Sequence, residues 1–140
     1  MREILFRGKC IDDGEWVQGD LYHRNDEVLI NNYQKGFNLS VNPETVGQFT
    51  GLTDKNGKKI FEGDIIRFHK YRYEPDWVGV VKYEHCLYMA KGTMPLAYEK
   101  QIGEDAYYCP FEVQISGIDK DRIVVIGNIN DNRELLEVNN

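Results

Sequence analysis

Turn signals interrupt this chain before any apolar run grows long, and that punctuation excludes a helical fold. Asp12-Asp13-Gly14, Arg24-Asn25-Asp26, Lys35-Gly36, Asp54-Lys55-Asn56-Gly57 and Asp119-Lys120-Asp121 cut the sequence into short segments. Asn and Asp bond their own backbone two residues on, and Gly supplies positive φ, so such clusters close turns. Asn56-Gly57 is the strongest of them, since Asn-Gly fits the mirror-image turn of a tight hairpin. The segments between are rich in β-branched and aromatic residues, which suit a pleated, half-buried surface. They read as strands: Glu3–Gly8, Trp16–Tyr22, Val28–Ile30, Asn38–Val41, Ile65–Phe68, Trp77–Tyr83, Cys86–Met89, Glu112–Ile118 and Ile123–Ile126, with Val46–Leu52, which carries Gly47 and Gly51, as strand or extended loop. Many short strands with frequent turns predict an all-β barrel or roll.

Finer expectations follow from particular residues. Gly117 interrupts the alternation of Glu112–Ile118 and reads as a bulge. The unbroken run Ile123-Val124-Val125-Ile126 suits a strand covered on both faces. Met94–Ile102, between Pro95 and Gly103, reads as one short helix. In the tail, Asp131 or Asn132 can cap a helical turn and let Leu135-Leu136 dock on the barrel. At most one or two short helices are expected.

A chain of 140 residues matches one domain and buries enough surface to fold without disulfides or metal. No stretch approaches the ~20 apolar residues of a membrane span, and the N-terminus lacks a secretory core. The expectation is a soluble, cytoplasmic protein with no membrane partner. Cys10, Cys86 and Cys109 are odd in number and form no Cys-x-x-Cys pair, as in a reducing compartment. A zinc site drawn from His23, His69, His85 and the thiols is disfavoured. His85 and Cys86 are adjacent in an expected strand, where neighbours point to opposite faces.

Gly14-Glu15-Trp16-Val17-Gln18-Gly19-Asp20-Leu21 resembles Gly57-Lys58-Lys59-Ile60-Phe61-Glu62-Gly63-Asp64-Ile65, offset by one inserted residue. A recurring way of opening a strand explains this: glycine permits a kink and aspartate bonds local amides. A duplicated ligand loop is the alternative.

Several motifs together carry a family resemblance. They are Ile4-Leu5-Phe6-Arg7-Gly8-Lys9, Gly14–Gly19, Asn42-Pro43-Glu44-Thr45-Val46-Gly47-Gln48-Phe49-Thr50-Gly51-Leu52, Asp54–Gly57, Phe61-Glu62-Gly63-Asp64-Ile65, Ile126-Gly127-Asn128-Ile129 and Glu134-Leu135-Leu136. With them the chain resembles the YopX family of phage and prophage proteins. Gly63–Arg67 followed by Gly79–Tyr83 is similar to the first hairpin of SH3-like barrels. The resemblance implies one YopX-like domain over residues 1–140. Residues 1–53 would form a β-rich N-terminal part, and 54–140 an SH3-like part ending in a short helical turn. It implies a bacterial host-cell setting and brings no catalytic, cofactor or metal residue.

The net charge of −6 disfavours sequence-blind nucleic-acid coating, which needs basic surface. Charge is unevenly placed, however. Between Lys55 and Arg72, six cations face two carboxylates, a net +4, so the remainder carries −10. Inside that window Arg67, His69, Lys70, Tyr71, Arg72 and Tyr73, followed by Trp77, interleave cations with aromatics. This pattern suits phosphate tracking and base stacking, or equally a barrel edge protected by cations. These seven residues are the candidate partner contact, with Tyr83 and Tyr88 beside them as aromatic anchors. Asp12, Asp13, Glu15 and Asp20, and separately Glu62 and Asp64, could hold a divalent cation, although turn chemistry accounts for each. No nucleophile elbow, phosphate loop or dinucleotide fingerprint is present. The expected function is non-catalytic protein binding or assembly, without cofactor and with self-association. Nucleic-acid binding through 67–73 is the alternative.

Overall fold

A computed structural model describes residues 3–69, 76–84, 86–95 and 108–136. The chain divides into two units, residues 1–51 and 52–140. Among the described residues the regular structure is antiparallel strand and 3-10 turn, with no α-helix.

The first unit contains β1 (Phe6–Lys9), β2 (Trp16–Arg24), β3 (Glu27–Asn32), β4 (Gly36–Ser40) and most of β5 (Gly47–Thr53), ordered β4-β3-β2-β1-β5. Gly19 lets β2 lie close to β3. A Cβ there would stand 1.9 Å from the Asn31 carbonyl oxygen. Val17, Ile30, Val41 and Cys10 form the core, with Leu21, Val28, Leu39 and Val46 packed against it. Burial raises the Cys10 thiol above its ordinary range, so it stays a neutral thiol. Pro43 ends the chain run as expected, opening the 3-10 turn Pro43–Thr45, with Asn42 accepting the Glu44 amide at 3.1 Å.

The second unit opens at the end of β5. The Asp54–Gly57 turn leads into β6 (Lys59–Phe61). Its closing bond runs from the Gly57 amide to the Asp54 carbonyl at 3.0 Å, so Lys55-Asn56 is the central pair. Gly57 takes φ 78° but Asn56 does not take positive φ, and the mirror-image turn expected at Asn56-Gly57 is not formed. Then follow β7 (Asp64–Phe68), β8 (Trp77–Glu84), β9 (Leu87–Pro95), β10 (Tyr108–Gln114) and β11 (Ile123–Asn128), in the sheet order β10-β9-β8-β7-β11. Ile60, Ile66, Phe68, Val81, Ala90, Ile115, Ile118 and Ile123 form its core, and Trp77, Tyr88, Val113 and Val125 pack on them. No pairing of β10 with β11 closes the sheet among the described residues.

Several local expectations are corrected. Gly117 lies in a 3-10 turn, Ile115–Gly117, and the register shift falls instead in β11, between Val125 and Gly127. Within β11 only Ile123 is fully buried, so the strand is covered less completely than its unbroken apolar run suggests. Met94 and Pro95 belong to β9 and not to a helix; residues 96–102 lie outside the described residues. Cys86 sits in the β8–β9 turn at φ 64°, so the strand argument against zinc does not apply to it, and His85 lies outside the described residues. The tail forms a 3-10 turn, Arg133–Leu136, in which the Leu135 amide donates to the Asn132 carbonyl at 2.9 Å.

Candidate functional site

The site grows from the alternation of β7. Phe68 points into the core and meets Trp77 edge-on, with ring centroids 5.7 Å apart. Arg67, one residue earlier, must then face outward, as side chains alternate along a strand. It is exposed, and it pairs in register with Val124 on one side and Val78 on the other. His69 continues the outward face, and its Nδ1 lies 3.4 Å from Asp76 Oδ1. Trp77 stands apart from these cations, half-buried on the core side. Lys70, Tyr71, Arg72 and Tyr73 lie outside the described residues.

Two other segments complete the place where Arg67 emerges. Lys55 is held beside β11 because its amide donates to the Ile123 carbonyl at 3.0 Å. The 3-10 turn Lys120–Arg122 brings Asp121 and Arg122 just ahead of Val124, with Asp119 capping it by accepting the Asp121 amide at 3.1 Å. The result is a solvent-open pocket of about 130 Å³ lined by Lys55, Arg67, His69, Asp76, Asp121, Arg122 and Val124. Among the described residues of its lining, the cations Lys55, Arg67 and Arg122 outnumber the carboxylates of Asp76 and Asp121. Small-molecule and cofactor sites run to roughly 300–1,000 Å³, so this one suits a single charged group.

Asp54 is what holds the pocket's Lys55 in place. The residue is 2% exposed. Oδ1 accepts the Asn56 and Lys58 amides, each at 2.9 Å, and Oδ2 accepts the Val125 amide at 3.0 Å. Burial alone would raise its pKa. The three amide donors outweigh that and hold the carboxyl below its ordinary range. The turn signal was legible; the long-range anchor was not, because only the fold brings β11 to this turn.

The two Gly-Asp segments diverge. Gly63 takes φ 87° and Asp64, 1% exposed, accepts the Phe61 amide at 2.8 Å, as a strand-opening device should. Gly19-Asp20 instead lies inside β2, with Asp20 exposed and accepting the Tyr33 hydroxyl at 3.3 Å. In the N-terminal acidic cluster, Asp13 accepts the Glu15 amide at 2.9 Å and stands 3.8 Å from Lys35 Nζ. Among the described residues, no three His, Cys, Asp or Glu side chains gather where an ion could sit. Nor is any helix there long and apolar enough to cross a membrane.

Sequence reasoning missed an aromatic pair. Tyr33 and Phe37 sit at the β3–β4 hairpin, 80% and 61% exposed, with rings 5.7 Å apart and nearly perpendicular. The polar residues around Lys35-Gly36 masked it. On the β8–β9 hairpin, Tyr83 pairs with Tyr88 at 4.9 Å between centroids; Tyr83 is exposed, whereas Tyr88 packs on the core. Cation–aromatic contact occurs at Trp16, where Arg7 lies 4.9 Å and Lys9 5.8 Å from the ring centroid.

The profile of the YopX protein family matches residues 5–137. The chain belongs to the YopX family. Protein EF1440 from Enterococcus faecalis, known as a crystal structure, is similar in fold to this YopX chain. The two share 23% identity with a TM-score of 0.51, over 98% of this chain and 100% of that one. No curated protein matches the chain.

Proposed function

We propose that this YopX protein is a non-catalytic, protein-binding module of phage or prophage origin, acting in the cytoplasm of the bacterial host. The observation that carries the reading is the cation-lined pocket where Arg67, Lys55 and Arg122 converge beside His69. Charges placed in an open pocket of this size recognise a group on a larger partner. The second unit also supports an SH3-like roll as its finer description. Four strands run as a meander, 3-10 turns follow, and the last strand returns beside the first.

Affinity capture from prophage-induced cells, with nuclease-treated controls, tests the reading. A protein partner retained after nuclease supports it. Loss of every partner on nuclease treatment would favour nucleic acid instead, and hydrolysis of a phosphodiester or peptide substrate by the pure protein would contradict a non-catalytic role.

Self-association is a second reading, favoured by a specific observation. In the first unit β4 is the outer strand of its sheet and carries the exposed Phe37 against Tyr33. Outer strands offer unpaired amides and carbonyls to another chain, and exposed aromatics anchor contacts.

A further inference from the structure

We propose that the pocket lined by Lys55, Arg67, His69, Asp76, Asp121, Arg122 and Val124 is a carboxylate-binding site, taking one Asp or Glu side chain of an acidic protein segment. This inference rests on the protein-binding reading above and assigns its ligand group.

Three observations point to it. The first is volume. At about 130 Å³ the pocket holds a carboxylate with a few waters, taking roughly 30 Å³ per water. The second is charge. Among the described residues of the lining, Lys55, Arg67 and Arg122 outnumber Asp76 and Asp121, so the lining is complementary to an anion. The third is the placement of Arg67. Its strand position is fixed by pairing on both sides, to Val78 and Val124, and the guanidinium extends from this rigid base. Among the described residues no ion pair or hydrogen bond engages that guanidinium, or the ammonium of Lys55. A planar guanidinium fork matches the two oxygens of a carboxylate, a geometry that Lys does not reproduce.

The same features count against a nucleic-acid strand. Stacking and phosphate tracking need an unbroken basic groove with aromatic platforms. Among the described residues the carboxylates of Asp76 and Asp121 interrupt the cations, and the ring of Trp77 packs on the core.

The test is an amide-shift titration of the full chain with three probes of equal length: a Glu-Gly repeat peptide, its Gln-Gly counterpart, and an oligothymidylate. The Glu peptide is expected to move the amides of Lys55, Arg67, His69 and Val124, with the Gln peptide leaving them in place. Arg67→Gln should weaken Glu-peptide binding by about tenfold or more, and Arg67→Lys should recover only part, as loss of a charge-assisted bidentate pair implies. Arg67 is exposed, so circular dichroism should find both variants folded. Equal shifts with Glu and Gln peptides, shifts elsewhere only, or shifts with oligothymidylate alone would each overturn the assignment. Capturing the same protein partner with wild type and Arg67→Gln would refute this pocket while leaving the binding-module reading standing. Capturing no protein partner at all, while the Glu peptide still binds, would refute the module reading and not the pocket.

Discussion

Asp54 and Val125 are joined across 71 residues of sequence by one hydrogen bond, the Val125 amide donating to Asp54 Oδ2 at 3.0 Å. The same carboxylate closes its own turn through the Asn56 and Lys58 amides. A local turn signal and a long-range strand contact thus depend on a single buried side chain. Substituting Asp54→Ala leaves three amides without their acceptor. Hydrogen bonds to charged groups are worth about 1.5–3 kcal/mol each and do not simply add, so a loss on the order of 3 kcal/mol is expected. Asp54→Asn should cost about half of that, on the order of 1.5 kcal/mol, because the amide oxygen keeps part of the network. Urea unfolding at neutral pH measures both.

The same residue sets an acid limb. The folded-state pKa of Asp54 is lowered below 3.8, so the unfolded chain binds the proton more readily. The carboxylate's contribution is complete above the unfolded value and is lost as pH falls through the lowered folded value. Stability of the wild type should therefore decline below about pH 4. In Asp54→Asn that part of the decline should disappear, leaving a flatter curve from pH 5 to pH 2. Parallel slopes for the two proteins would show that Asp54 does not act this way.

The β-rich class and most strand positions were legible because turn chemistry is local: Asp54–Gly57 and Asp119-Lys120-Asp121 turn the chain where their residues predict, although the first is not the mirror-image type expected of Asn56-Gly57. Errors came where identical residues serve different geometries. Gly117 sits in a 3-10 turn, while the irregularity of β11 falls near Gly127, where a Cβ would meet the Asn132 side chain at 2.6 Å. For the site, the period of two in Arg67-Phe68-His69 was readable and separates outward cations from the inward ring. Lys55, Asp121 and Arg122 were not readable as neighbours of Arg67. Nothing along the chain announces that β11 returns to pair with β7. Tyr33 and Phe37 were missed because polar flanks made an aromatic pair look like loop.

Gly19 and Gly57 should answer differently to alanine. At Gly19 the added Cβ would stand 1.9 Å from a backbone oxygen of the neighbouring strand, so the β2–β3 pairing must open. Overpacking of this kind costs roughly 1–3 kcal/mol and occasionally more. At Gly57 the surrounding space is open and only the positive φ is strained, costing about 1–2 kcal/mol. Gly19→Ala should therefore be the more damaging change. It should also alter amide shifts along Gln18–Leu21 and Ile30–Asn32, whereas Gly57→Ala should perturb only its turn.

Lys91 ties three strands together. Its Nζ reaches Glu84 Oε2 at 2.8 Å on β8 and Glu112 Oε1 at 3.1 Å on β10. The hydrogen bonds to Glu84 and then Glu112 raise its pKa. A raised lysine contributes fully below its unfolded value and loses that contribution as pH climbs through the folded one. Lys91→Met should lower the melting temperature at neutral pH, since two carboxylates lose their shared cation. The deficit should shrink in high salt, which screens exposed charges, and should vanish at strongly alkaline pH. A deficit independent of both salt and pH would assign the loss to packing.

Self-association makes a prediction that separates two surfaces of the chain. If β4 and the Tyr33–Phe37 pair join copies, light scattering should give a mass that rises with concentration above the 16.3 kDa of one chain. The double substitution Tyr33→Ser with Phe37→Ser should return it to that value. Both side chains are largely exposed, so the fold should lose little, within about 0.5 kcal/mol as for most surface changes. Arg67→Gln, which alters the carboxylate pocket, should leave the mass unchanged. A wild-type mass of 16.3 kDa at every concentration would remove self-association and leave the aromatic pair without that role. A mass lowered by Arg67→Gln instead would place the copy-to-copy contact at the pocket, where the acidic remainder of one chain meets the cations of the next.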